Sequence, residues 1–98
     1  MNALARRASI TLDLNSSFIP LILDFAEKSA KAFGFTDSDV LRVRLASEEI
    51  FGYLCHTTKT GSEVTVEALN RLYHMEIRFT FSFLSFSIDT SILYKIFQ

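Results

Sequence analysis

Glu48, Glu49, Cys55 and His56 are the side chains here whose types suit acid–base or nucleophilic chemistry, and they crowd into one stretch, DSDVLRVRLASEEIFGYLCHTTK, residues 37–59. A carboxylate can orient or deprotonate a reacting hydroxyl, and an imidazole can relay the proton. The stretch is patterned as a helix that ends before a glycine. On a helix Glu48, Gly52 and His56, at i, i+4 and i+8, form one slowly drifting line. Glu49 is turned about 100° from Glu48, and Cys55 is turned as far from His56, so the last two do not make a nucleophile pair. Gly52 is the odd member of the line. A glycine inside a helix costs about 1 kcal/mol relative to alanine, so it either permits a close approach or is a tolerated loss.

Each of these residues also has a plain structural reading. Glu48 lies four positions after Arg44 and can form an ion pair with it on a wet face. His56 suits a helix end, where the dipole favours a cation. Cys55 behaves as a small apolar residue. His74 falls on the polar face of a strand.

The elements that must position the helix are legible in order. Residues 9–14 alternate Ile10, Leu12 and Leu14 with Thr11 and Asp13, as a half-buried strand at a sheet edge does. Asn15, Ser16 and Ser17 supply cap chemistry, and Pro20 falls in the first turn of a helix over 18–33. Phe18, Leu21, Ile22, Phe25, Ala26, Ser29 and Phe33 form its buried stripe, with Asp24, Glu27, Lys28 and Lys31 in water. Gly34 closes the helix in a left-handed conformation. Thr36 or Asp37 then caps the 37–59 helix, with Asp39 in a capping-box-like position. Val40, Val43, Ser47, Ile50 and Leu54 give its apolar stripe, flanked by Ala46, Phe51 and Tyr53. Leu41, Leu45, Glu48, Gly52 and His56 give the neighbouring one.

Beyond the loop at Thr60, Gly61 and Ser62, Val64, Val66 and Ala68 alternate with polar residues. Asn70 and Arg71 make a two-residue turn. The return strand then puts Tyr73, Met75, Ile77, Phe79, Phe81 and Phe83 on one face. At Leu84 the phase flips, which demands a bulge, a bend or a new element. Residues 90–98 fit a strand or a short helix. The order β-α-α-β-β plus a C-terminal tail predicts an α+β fold, a two-layer sandwich with two helices on one face of a mainly antiparallel sheet.

Bulk properties narrow the class. Ninety-eight residues make a single domain, 1–98. With 49% hydrophobic and 21% charged residues the chain is globular. A net charge of -1 gives no electrostatic case for nucleic acid or an anionic membrane as partner. Arg6 and Arg7 are not followed by a long apolar run, so no signal peptide is expected. The longest uncharged runs, 14–23 and 79–88, are far short of the roughly 20 residues a membrane span needs. One cysteine excludes an internal disulfide and a multi-cysteine metal site. The expected compartment is the cytoplasm. Five of the ten phenylalanines lie in the last twenty residues, which makes the aromatic-rich segment 84–98 the expected partner surface.

The segment RLASEEIFGYLCHTT resembles the first nucleotide-site motif of the histidine-kinase-like ATPase superfamily, in its bacterial anti-sigma-factor and serine-kinase branch. That motif is Glu, then Asn four residues on, then often His four further. The resemblance spans about 10–83, the N-terminal part of such a domain. It implies ATP and Mg²⁺ as ligands and a protein partner, either a sigma factor or an anti-anti-sigma-like protein. It assigns the catalytic role to Glu48 and places Glu49, Gly52 and His56 at the nucleotide. The chain departs from the pattern at two points. Gly52 stands at the Mg²⁺-holding asparagine, and glycine brings no side-chain oxygen. The adenine-binding Asp-x-Gly-x-Gly segment falls near Phe81 and Phe83, and Asp89 is too far along to replace it. The expectation is a regulatory protein of this kind with impaired ATP binding and turnover, and not a working enzyme. Two alternatives stand beside it: a non-catalytic interaction or homodimerisation module on the same scaffold, and the N-terminal part of a longer protein whose end has been cut or replaced.

Overall fold

The computed structural model describes residues 5–58, 61–71, 73–81 and 84–89, the last segment by its backbone alone. The elements are β1 (Arg7–Asp13), a 3₁₀ turn (Ser16–Phe18), α1 (Ile19–Ala32), α2 (Asp37–Thr57), β2 (Glu63–Asn70), β3 (Met75–Phe81) and β4 (Leu84–Asp89). The sheet has four strands in the order β1-β2-β3-β4, and every neighbouring pair is antiparallel. This is the α+β architecture expected from the strand and helix order, with β1 at an edge.

Local chemistry explains the helix ends. Asn15 Oδ1 accepts from the Ser17 amide at 2.9 Å and opens the 3₁₀ turn that leads into α1. Pro20 lies in the first turn of α1, where its missing N–H is no loss. At the other end the Phe35 amide donates to the Ala30 carbonyl at 3.1 Å and the Gly34 amide to the Lys31 carbonyl at 3.0 Å. These two bonds are a Schellman closure, and they require the left-handed backbone that Gly34 adopts at φ 86°. Thr36 Oγ1 then accepts from the Asp39 amide at 3.2 Å, capping α2.

The core lies between the helices and one face of the sheet. Ile22, Ala26 and Ala30 of α1 meet Val40, Val43, Phe51 and Leu54 of α2 over Val64, Val66, Ala68, Met75, Ile77 and Phe79. Phe51 and Phe79 are the largest fully buried side chains. One row of the sheet runs Ile10, Val66, Phe79, Phe86 across all four strands. The opposite face is polar: Thr11 and Thr65 share a hydrogen bond at 2.9 Å, and Arg78 bonds Glu76 at 2.9 Å and lies 3.8 Å from Glu67.

Several expectations are corrected. Phe51 sits at the centre of the core and not on its flank, whereas Tyr53 is 66% exposed. Leu21, assigned to the buried stripe of α1, is 48% exposed, because the sheet ends at β1 and no described residue lies beyond it to cover that side. The turn after β2 is longer than two residues. β2 runs through Asn70, and the Arg71 amide donates to the His74 carbonyl at 2.9 Å before β3 starts. Tyr73 is therefore in the loop, 94% exposed, and not on the core face. The phase flip at Leu84 marks a new strand: Phe81 and Leu84 face each other as β3 turns back into β4. Phe83 and the tail 90–98 lie outside the described residues.

Candidate functional site

The helix α2 holds all four nominated residues on its outer side. Glu48, Glu49 and His56 are exposed, and Gly52 is half-buried. Two leucines share their side of the helix by spacing, Leu41 at 56% and Leu45 at 44% exposure. The structure thus keeps the Glu48–Gly52–His56 line together, but on an open surface.

The expected Arg44–Glu48 pair does not form. Arg44 reaches across to α1 instead and donates to Glu27 Oε1 at 2.7 Å, while Lys31 donates to Glu27 Oε2 at 3.2 Å. Those two cations, Arg44 first, hold the Glu27 carboxyl below its ordinary pKa. Glu48 is left without an ion pair or hydrogen bond among the described residues. It is an exposed carboxylate facing water.

Gly52 answers the question its cost raised. A Cβ built there meets nothing within 4 Å, so no described part of the fold needs the glycine for close approach. Glycine does not supply the side-chain oxygen that the resemblance expects at this position. Mg²⁺ requires near-octahedral oxygen coordination. Glu48 and Glu49 diverge around the helix, and among the described residues no three His, Cys, Asp or Glu side chains gather in a metal-holding group. Gly52 offers no side-chain oxygen to such an ion.

Cys55 is half-buried and packs against the core, and burial raises its thiol pKa above the ordinary value. That is the opposite of an activated nucleophile. His74 is half-buried in the loop before β3. Phe81, at the end of β3 where the resemblance places the adenine-binding carboxylate, is half-buried against the core.

Two features go beyond the sequence reading. Asp39, the capping-box candidate, is buried in the first turn of α2, its Oδ1 lacking a hydrogen bond, with Arg42 Nη1 3.5 Å away. That spacing makes an ion pair without a directed hydrogen bond, and the helix N-terminus adds favourable potential. The second feature is a groove of about 360 Å³ between β1 and α1, lined by Ala8 and Ile10 on the strand, Leu21 and Phe25 on the helix, and Phe33 just past its end. The signal for it was present in the edge-strand pattern of β1, but the exposure of Leu21 depends on the tertiary packing.

No protein-family model matches the chain, and no curated protein matches it. Among the described residues no helix is long and apolar enough to cross a membrane.

Proposed function

We propose that this chain is a regulatory protein on a scaffold resembling the anti-sigma-factor and serine-kinase branch of the histidine-kinase-like ATPases, acting by protein contact rather than by ATP turnover. The element order and the position of Glu48 midway along α2 support the scaffold. The observation that carries the loss of chemistry is Gly52, which puts open space where the resemblance places the Mg²⁺-holding amide. Glu48 remains able to act as a base, but it has no metal beside it to organise phosphates.

Protein contact is supported by the same face. Leu41 and Leu45, both substantially exposed, lie in line with Glu48. Apolar groups beside a free carboxylate suit a protein surface carrying its own apolar and basic groups. By resemblance that partner is a sigma factor or an anti-anti-sigma-like protein.

Calorimetric titration of the purified chain with Mg-ADP and Mg-ATP, with Glu48→Ala as control, tests the reading. The expected result is no binding heat at millimolar nucleotide. Saturable binding that Glu48→Ala abolishes would overturn it in favour of a working ATP site.

A further inference from the structure

Among the described residues the strand β1 has one paired edge and one open edge. Along the paired edge the Leu14 amide donates to the Ser62 carbonyl, and the Asn70 amide donates to the Arg6 carbonyl, each at 2.8 Å. Backbone groups alternate sides along a strand. The even-numbered residues of β1 therefore address β2, and Arg7, Ser9, Thr11 and Asp13 direct their N–H and C=O groups outward, away from the sheet.

Among the described residues no element covers that edge. Native proteins protect exposed edges with charged side chains, lysine above all, with proline, with bulges or with a covering element, and the charges of β1 are two of opposite sign, Arg7 and Asp13. The sequence RASITLD has no lysine, proline or glycine, and its pairing to β2 is continuous, without a bulge. On the helix side the open edge borders the apolar groove of Ile10, Leu21 and Phe25.

We propose that β1 is a homodimerisation edge, at which a second copy of the chain pairs antiparallel about a two-fold axis through Ile10. The strand is self-complementary in that register. Arg7 stands opposite Asp13 of the second copy, and the symmetry repeats the pair. Ser9 faces the second copy's Thr11, Ala8 faces its Leu12, and Ile10 faces its own equivalent. The outward residues pair with each other, as the hydrogen-bonded positions of an antiparallel ladder must. Arg7 and Asp13 are both exposed and have no ion pair among the described residues.

The register is specific. Moving the axis to Ser9 sets Arg7 against Thr11 and Asp13 against Ala5. Moving it to Thr11 sets Arg7 against Asn15 and Asp13 against Ser9. Only the axis at Ile10 joins the opposite charges. An isologous contact of this kind uses one patch twice and closes on itself. Strand pairing supplies direction and register, while the groove, with Leu21 at 48% exposure, supplies apolar surface for the second copy to cover. The open edge and charge pattern stand independently of the nucleotide reading, so a failed titration and a failed dimer are separate results.

The test is sedimentation equilibrium of the full chain over a wide concentration range, for wild type, Arg7→Asp, Asp13→Arg and the double swap, with circular dichroism confirming the fold of each. Wild type is expected to be dimeric. Each single swap turns two attractions into two repulsions and weakens association about tenfold or more. The double swap restores it. As an independent reading of the axis, Ile10→Cys in a Cys55→Ala background is expected to oxidise to a covalent dimer, since residues on the axis face each other at about 4.5 Å between Cα atoms. A wild-type chain that is monomeric throughout, because its own tail or another protein covers β1 or because nothing does, overturns the proposal. So does a dimer indifferent to the single swaps, or a double swap no better than either alone.

Discussion

At Gly52 a single residue separates two readings of the central helix. Were the glycine there for close approach, a methyl group at that position would meet something. It meets nothing within 4 Å among the described residues, so there the helix carries the conformational cost of glycine without a packing return. Gly52→Ala is expected to stabilise the chain by about 0.5–1 kcal/mol. That corresponds to a rise in Tm of roughly 2–8 °C for a domain of this size. A scan showing a lower Tm would mean that the fold does use the absent side chain. The neighbouring thiol teaches a related lesson. Sequence places Cys55 beside His56, but burial raises the thiol pKa and the histidine projects elsewhere. Proximity in the chain does not predict proximity in space on a helix.

Between elements, the joint of α1 and α2 is held on its wet side by Glu27, which binds Arg44 from the other helix and Lys31 from its own. The pH dependence has a definite sign. The folded pKa of Glu27 is depressed, so its contribution is fully present above the unfolded carboxylate value of about 4.3. It is lost as pH falls through the lower, folded value. Urea midpoints of wild type and Glu27→Gln are expected to differ near neutral pH and to converge in acid, below about pH 4. A gap that persists undiminished at pH 3 would show that the side chain acts through packing instead. The ends of these helices were readable from Asn15, Pro20, Gly34 and Thr36, because capping depends on a few adjacent residues. The pairing of Arg44 was not readable, since its partner is seventeen positions away and an intrahelical carboxylate stood closer in sequence. Likewise the alternation of β3 was clear, but its starting point was not. Asn70 and Arg71 contain none of the glycine that marks a tight turn, and period two looks the same whether a strand bulges or turns back at Leu84.

For the molecule as a whole, the question is which apolar residues the fold depends on. Along α2 the sequence offers Leu41, Val43, Leu45, Ile50, Phe51 and Leu54 at helical spacings wide enough to cover more than one face. Periodicity alone ranks none of them, because it cannot say how far the sheet and α1 extend over the helix. Packing decides: Phe51 is 0% and Leu41 56% exposed. A buried phenylalanine truncated to alanine costs about 3–5 kcal/mol, against about 5–15 kcal/mol for a whole domain. A surface truncation usually stays within about 0.5 kcal/mol. Phe51→Ala is therefore expected to lose most cooperative unfolding at 37 °C, while Leu41→Ala melts like wild type. If instead Leu41→Ala destabilises the isolated chain by more than about 1 kcal/mol, that face of α2 is covered in solution. A concentration-dependent melt for wild type but not for Leu41→Ala would locate the cover in a second molecule. A concentration-independent loss would locate it within the chain.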